Sequence, residues 1–430
     1  MATEHSSASG DLMLTNTLTA RREPFRPRHG DGVRLFTCGP SVYNRPHIGN
    51  FRTYLFQDIL QRYLEYRGHR VLRVLNFTDV EDKAVDEAKR RGLSLADLTR
   101  DNEEIFLREA WSLGIRLPEV IPRSSTSVEQ AVELIRILLE KGHAYRYRGC
   151  VFFDPLTFPD FGKLFGLDLS KWPKKRIRFW RDTYLGKRWN LGDFILWHAA
   201  GHGESDAFVW NTALGRGRPA WNIQDPAMIS QHLGYELDIC CGGVDNLYRH
   251  HDYNIAVMEA ISDRQLAPYW LHGEHLLVRG AKMAKSKGNI IYPGDMFRDG
   301  VSPQELRFYL LSVHYRSRMS LTERRLARAR ERLSRIWSFI RYLREGAADA
   351  AADAEAETAD GFREMRLRAE QRLDDDLDVP GAVTVLERDL SELHRMLEHG
   401  SLSSGACSLA LREMGELDKV LGFLGVAEKG

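Results

Sequence analysis

The sequence predicts an α/β protein built on a parallel sheet, followed by an all-helical region. Three observations predict it. An apolar run at 33–36 precedes apolar residues at helical spacing over 51–66 and a second strand-like run, Arg70-Val-Leu-Arg-Val-Leu75. Strand, helix and strand at this spacing form a βαβ unit, with parallel strands and a right-handed crossover. A later run, Leu237-Asp-Ile-Cys-Cys-Gly-Gly-Val-Asp245, again reads as a strand entering a glycine turn. From about 303 onward the chain reads as helix, with Leu326, Leu333, Ile336, Trp337, Ile340 and Leu343 forming an apolar stripe at three- and four-residue spacing.

Bulk properties bound the rest. A chain of 430 residues supports two or three domains and a large core. No apolar run is long enough for a membrane span, and the N-terminus lacks a signal-peptide core. The net charge of +1 means that any nucleic-acid surface must come from local clustering. Five cysteines in this length do not form a disulfide framework, so a cytoplasmic location is expected. Residues 1–30 read as an N-terminal extension, disordered over 1–12.

Taken in order, the first strand breaks at Gly39-Pro40, and His47-Ile-Gly49-Asn50 leads into the helix over 51–66. A strand, a turn and a helix N-terminus present free backbone N–H groups, which suits phosphates; an ordinary turn with His47 as a cap fits equally. Asn76-Phe-Thr78-Asp79 follows the second strand, where open α/β sheets bind ligands, although Thr78 or Asp79 also suits helix capping. Helices are expected over 83–91, 95–114 and 126–142. Residues 143–215 are mixed and contain Lys174-Lys-Arg-Ile-Arg-Phe-Trp-Arg181 and Lys187-Arg-Trp189. Basic and aromatic residues interleaved in this way suit phosphate contact and base stacking, or a solvated strand.

In the second half, Gly242 and Gly243 permit close backbone approach, and Asp245 is placed to accept from ribose hydroxyls. A helix over 248–261 carries His250, His251 and Asn254. The segment 278–289, with Lys282, Lys285 and Lys287, reads either as a cationic loop for a triphosphate or as an exposed basic loop. Arg324, Arg325, Arg328, Arg332 and Arg335 form the polar face of the next helix. Residues 346–360 read as a linker, and helices near 361–374, 379–398 and 407–424 complete a bundle.

Cys38-Gly-Pro-x-Val-Tyr with His47-Ile-Gly, the Gly-Gly-x-Asp turn and Lys282-Met-Ala-Lys-Ser286 occur in that order. Together they resemble class I aminoacyl-tRNA synthetases and, within them, the cysteinyl-tRNA synthetase family, to which mycothiol ligase is related. The resemblance extends over 33–425 and includes Tyr63-Leu-Glu-Tyr-Arg-Gly68, Asp193-Phe-x-Leu-Trp197, Gly215-Arg-Gly-Arg-Pro-x-Trp221, His314-Tyr-Arg-Ser317 and Asp374-Asp-Asp-x-Asp-x-Pro380. It implies a Rossmann-like catalytic domain over 31–320, with an insertion at about 115–215, and a helical bundle domain over 321–430. It also implies ATP with Mg2+, an amino acid and tRNA as partners, and no membrane.

By the same resemblance, His47, Gly49 and Asn50 hold the ATP phosphates, and Gly242, Gly243 and Asp245 hold adenosine. His47, Lys282 and Lys285 are the catalytic residues, the two lysines clamping the leaving pyrophosphate. Cys38, Thr78, Trp221 and Cys240 line the amino-acid pocket. Family members bind zinc through two cysteines, a histidine and a glutamate. The matching positions here are Cys38, Asp225, His250 and Asn254: one thiolate has become a carboxylate, and the glutamate has become a poorly coordinating amide. Cys240 and Cys241 replace the family's histidine and glycine before the turn, and either restore a thiolate to the metal or pack as buried small residues. Family members usually continue past the bundle into an anticodon-contacting region, whereas this sequence ends at Gly430. Three readings follow: a tRNA-charging ligase, a stand-alone ligase joining an amino acid to a small amine, or a nucleotide-binding paralogue without turnover.

Overall fold

The structure is a computed structural model and describes residues 10–28, 30, 32–168, 193–201, 208–347, 356–398 and 403–426. The basic segments 174–181 and 187–189 lie outside the described residues. The chain opens with an antiparallel hairpin, β1 (Met13–Asn16) and β2 (Arg21–Pro24). The first βαβ unit follows as β3 (Val33–Thr37), α1 (Ile48–Tyr66) and β4 (Val71–Leu75). Helices α2 (Asp82–Arg91), α3 (Leu95–Ser112) and α4 (Val128–Glu140) come next. Strands β5 (Ala144–Tyr147), β6 (Cys150–Phe153), β7 (Phe194–Ala199), β8 (Trp210–Thr212) and β9 (Gly215–Pro219) form an antiparallel sheet in the order β5-β6-β7-β9-β8. This sheet occupies the segment read as an insertion and runs slightly beyond it.

The second half contains α5 (Trp221–His232), β10 (Ile239–Gly243), α6 (Asp252–Ser262) and β11 (Tyr269–Gly273). Strands β11, β10, β3 and β4 make one parallel sheet in that order. Apolar alternation places the strand side chains in two cores, one on each face: Leu35 and Cys241 lie in one, Phe36 and Cys240 in the other. A small sheet of β12 (Leu276–Val278), β13 (Ala281–Lys282) and β14 (Met319–Leu321) carries the lysine segment, with α7 (Pro293–Arg298) and α8 (Pro303–Leu311) beside it in sequence. Helices α9 (Glu323–Ala347), α10 (Ala356–Asp374), α11 (Val379–Glu398) and α12 (Ser404–Leu421) form the bundle. Among the described residues, no helix is long and apolar enough to cross a membrane.

Three sequence expectations need correction. Residues 13–24 of the expected extension form a hairpin, to which the sequence reading gave no elements, and order begins before residue 13, since Leu12 is buried. Asn16 pairs reciprocally with the edge strand, its Nδ2 donating to the Pro268 carbonyl at 2.8 Å and its Oδ1 accepting from the Trp270 N–H at 3.0 Å. Helix α10 begins at Ala356, inside the expected linker, because Ala and Glu favour helix even without an apolar stripe. The expected helix over 248–261 is broken before Asp252: Tyr248 is extended, and Arg249 has φ +74° and ψ −65°. The arginine face of α9 is also partly engaged within the bundle, since Arg332 pairs with Glu387 on α11.

A buried ion pair lies where the last bundle helix meets the sheet domain. Asp58 of α1 and Arg307 of α8 meet at 2.7 Å with essentially no exposure. Arg307 also donates to the Leu421 carbonyl at 2.8 Å and the Leu113 carbonyl at 3.1 Å. Burial alone would raise the Asp58 carboxyl, but Arg307 and Arg62 outweigh it and hold it below its ordinary value. Removing one member strands the other charge, which costs about 3–5 kcal/mol. Asp58→Asn is therefore expected to lose stability on that scale at pH 7 in urea unfolding. Because the folded value is depressed, this contribution is present above the unfolded carboxylate value and fades as pH falls through the folded one. The wild-type advantage should accordingly shrink below about pH 4.

Candidate active site

The site lies at the C-terminal ends of β3 and β10, adjacent strands in the sheet. Its nucleotide side begins with His47. This residue caps α1: its Nδ1 accepts from the Asn50 N–H at 3.3 Å, and Asn50 Oδ1 accepts from the His47 N–H at 2.9 Å. The box explains why the helix starts at Ile48, earlier than its apolar spacing predicts. Burial lowers the His47 ring below its ordinary value, so it is neutral at pH 7. With Nδ1 accepting, the proton sits on Nε2, a donor without a partner among the described residues. A Cβ on Gly49 would lie 2.7 Å from Met283 Cε and 3.1 Å from the His47 ring, so a side chain there would displace the Met283 tip. The phosphate loop and the lysine segment therefore touch directly.

Lys282, at the end of β13, rests on Asp245 at 3.3 Å, with both side chains 54% exposed. This exposed pair is weak and easily exchanged for a stronger anion. Lys285 starts a tight turn over Lys285–Lys287, and its side chain is outside the described residues. A Cβ on Gly243 would meet Asp245 Oδ1 at 2.7 Å, and one on Gly242 would meet His251 Cε1 at 2.9 Å. Both glycines are thus held by close approach of their neighbours.

The other side of the site is a buried cluster. Cys38 Sγ lies 3.0 Å from His251 Nε2 and 3.6 Å from Asp225 Oδ2. His250 Nε2 donates to Asp225 Oδ2 at 2.7 Å, and Asn76 Nδ2 donates to Asp225 Oδ1 at 2.9 Å. Trp221, opening α5, stacks on His250 with ring centres 4.8 Å apart. Thr78 backs the loop after Cys38, its N–H and C=O bonding Pro40 and Val42. From His251 a chain continues outward: Nδ1 to His272 Nε2 at 2.8 Å, then His272 Nδ1 to Thr17 Oγ1 at 2.8 Å. Burial, with the Asp225 carboxylate and the neighbouring cysteines, holds the Cys38 thiol well above its usual value. Burial and the adjacent histidines hold His251 well below its own, and burial takes His272 to about 3. Both rings are neutral, and the contacts link the Cys38 sulfur through both histidines to Thr17.

The structure thus brings Cys38, Asp225, His250 and Trp221 together as the sequence predicts. Asn254 is fully buried in the first turn of α6, and neither of its amide atoms has a partner among the described residues. Cys240 packs in the same core as Cys38, while Cys241 faces the opposite core. Sequence reasoning missed His251 as the neighbour of Cys38. It also missed His272, which had a usable signal, namely a polar residue ending an apolar strand. The ligand atoms of Cys38, His250 and His251 lie within 4.8 Å of one another. One thiol and two imidazoles are a donor set that a zinc-class ion accepts, with a coordination position left over.

The chain matches the family model for the class I (C) tRNA synthetase catalytic domain over residues 24–331. It is 36% identical over 414 residues to the cysteine–tRNA ligase of Chlamydia pneumoniae, covering 96% of this chain and 86% of that protein. Against the cysteine–tRNA ligase of Geobacillus thermodenitrificans the identity is 34% over 421 residues, covering 96% and 87%. Methionyl-tRNA synthetase of Mycobacterium tuberculosis, in complex with methionyl-adenylate, shares the fold at a TM-score of 0.66 and 14% identity, covering 91% of each chain. An Agrobacterium radiobacter LeuRS–tRNA–LeuAMS complex does so at a TM-score of 0.66 and 12% identity, covering 93% and 86%.

Both halves of the site depend on Gly39, whose N–H donates to Asn76 Oδ1 at 2.9 Å and whose Cβ, if present, would lie 1.9 Å from the Asn76 carbonyl oxygen. Backbone cannot yield to that overlap without moving β3 from β4. Gly39→Ala is therefore expected to cost about 3 kcal/mol or more in denaturant unfolding, at the upper end for overpacked sites.

Proposed function

The chain belongs to the class I cysteinyl-tRNA synthetase family and is an ATP-dependent aminoacyl-tRNA ligase, and we propose that the amino acid it activates is cysteine. The observation that carries this reading is the juxtaposition at one sheet edge of a free phosphate donor, His47 Nε2–H, and a buried thiol–imidazole cluster. ATP presents its phosphates to the first and cysteine its thiol to the second, which leaves the cysteine carboxylate between them to meet the α-phosphorus. The named relatives act on cysteine, which supports the same reading. The cytoplasm, where five free thiols stay reduced, is the matching compartment.

In this reading the α-carboxylate of cysteine attacks the α-phosphorus of ATP in line. An aminoacyl-adenylate forms, and pyrophosphate leaves with the electron pair of the broken P–O bond. His47 donates from Nε2 to the phosphates, and the backbone N–H groups opening α1 point the same way. Lys282 leaves Asp245 and, with Lys285, neutralises the charge gathering on pyrophosphate. Asp245, once released, is free to accept from a ribose hydroxyl. Mg2+ arrives with ATP. Trp221 fixes the His250 ring that faces the side chain of the amino acid. The terminal hydroxyl of tRNA then attacks the activated carbonyl and releases AMP. A zinc ion, when bound, would supply a thiolate-selective bond that packing against a serine-sized isostere does not.

The stand-alone ligase and the inactive paralogue are less well supported, because matches to the tRNA ligases extend through the bundle and the lysine pair is retained. ATP–pyrophosphate exchange across a panel of amino acids tests the assignment. Cysteine should stimulate exchange well above serine and alanine; absence of stimulation by any amino acid would sink the reading. Lys282→Ala should fold normally and slow cysteine-dependent exchange about 10²–10³-fold, on the scale of losing one transition-state donor.

A further inference from the structure

We propose that a zinc-class divalent ion is held in this protein by Cys38 Sγ, His250 Nδ1 and His251 Nε2, with Asp225 orienting His250 rather than ligating. The ligand set stands apart from the amino-acid assignment; only the occupant of the open position rests on cysteine being the substrate.

One ring nitrogen in the cluster is orphaned. His250 spends Nε2 on Asp225 Oδ2 at 2.7 Å, while its Nδ1 is buried and has no partner among the described residues. A buried ring nitrogen without a partner is costly, and a ligand there removes the cost. Asp225 has already committed both oxygens, Oδ1 to Asn76 at 2.9 Å and Oδ2 to His250. Carboxylate, imidazole and metal in series is how ligating histidines are usually fixed.

His251 is anchored in the same manner. Its Nδ1 is bound to His272 Nε2 at 2.8 Å, and His272 in turn is bound to Thr17 at 2.8 Å, so the inner nitrogen, Nε2, is the one turned to Cys38. One ring nitrogen of each histidine and the Cys38 sulfur lie within 4.8 Å of one another.

The backbone shows how two consecutive histidines reach one point. On a regular helix adjacent side chains diverge by about 100°, and His250 would share a face with Asn254. Here Tyr248 is extended and Arg249 occupies φ +74°, ψ −65°, a rare and strained turn for a residue with a Cβ. The break lies directly before the pair and brings the ring centres of His250 and His251 to 5.5 Å. Gly242 leaves the space into which His251 leans, since a Cβ there would meet its ring at 2.9 Å. His251 thereby supplies a third donor beside Cys38 and His250, and the proposed set leaves Asn254 out.

Cobalt(II) is the probe, added to the metal-free full-length protein. One equivalent should bind, with the intense near-ultraviolet sulfur-to-cobalt absorption of a single thiolate and visible bands of a low-coordinate site. Cys38→Ser should lose the sulfur absorption. His251→Ala should lose at least 100-fold in affinity. Asp225→Asn, which can still accept from His250, should keep one equivalent and the sulfur band while losing about 10–100-fold, the scale for an outer partner. Asn254→Ala should bind as wild type. Circular dichroism checks folding in each variant. His272→Ala, expected to lose 10–100-fold, probes the same arm without touching a ligand. Failure of the wild type to bind stoichiometrically would overturn the proposal, as would loss of binding in Asp225→Asn with retention in a folded His251→Ala. In the wild type, added cysteine should strengthen the sulfur absorption and serine should not. Binding without that response leaves the ligand set standing and removes cysteine as the substrate.

Discussion

The pairing of β3 with β10 is the contact on which the rest of the structure depends. These strands are separated by about two hundred residues of chain, yet Leu35, Phe36 and Thr37 lie in parallel register with Ile239, Cys240 and Cys241. The Cys38 N–H extends the ladder by donating to the Cys241 carbonyl at 3.1 Å. Directly beyond it the two chains part, one through Gly39 and the other through Gly242. A crevice at the carboxyl ends of adjacent parallel strands is where open α/β sheets place ligands. Here it brings a helix N-terminus for phosphates and a thiol–imidazole cluster into one space. Neither half contains the site alone.

The second constraint links that crevice to the bundle through the N-terminal hairpin. Thr17 ends the histidine chain that starts at Cys38. Two residues earlier, Thr15 donates from its N–H and its hydroxyl to Asp376, at 2.9 Å and 2.6 Å. Asp376 and Leu377 both hold φ +57°, an uncommon conformation for side-chain-bearing residues, and Tyr315 also donates to Asp376 at 2.7 Å. Strain of this kind persists only where several partners over-determine it. The hairpin is therefore a structural tie between the turn joining α10 to α11 and the ring that faces Cys38. It also covers the edge of the parallel sheet at β11, which an open strand would leave exposed to pairing.

What could be read from the sequence was local or strongly periodic. The βαβ unit, the glycine turn and the bundle stripe follow from apolar spacing. The capping position of His47 was legible as one of two readings of a histidine at a helix start, although the reciprocal box with Asn50 that moves the helix start to Ile48 was not foreseen. The His251–Cys38 contact was illegible for a physical reason. The break that creates it falls on Tyr248 and Arg249, neither of which signals a turn, while the surrounding residues carry good helical spacing. Tertiary pressure from Gly242 and His272 overrode that local preference. The hairpin failed for the same reason: its short strands have little pattern of their own, and they form because Asn16 satisfies the edge of a sheet built from residues 250 positions away. The start of α10 was a milder case, in which Ala and Glu make helix without the apolar stripe used to recognise it.

The proposed ligand set would change the electrostatics of amino-acid selection as well as its geometry. A set of two thiolates and a carboxylate would carry three negative charges toward a dication. One thiolate and two neutral imidazoles carry one, and the Asp225 charge stays a bond further out, spent on orienting His250. A dication that is less neutralised by its ligands holds an incoming thiol as thiolate more strongly, because coordination competes with the proton for sulfur. The soft character lost with the second sulfur is thereby offset by greater residual positive charge. Cysteine still differs from serine in the property that matters here, since its thiol gives up a proton far more readily than a hydroxyl does. The exchanged residues at 225 and 254 are thus compatible with thiol selection by a site of different charge, built from the same strand ends and a break in one helix.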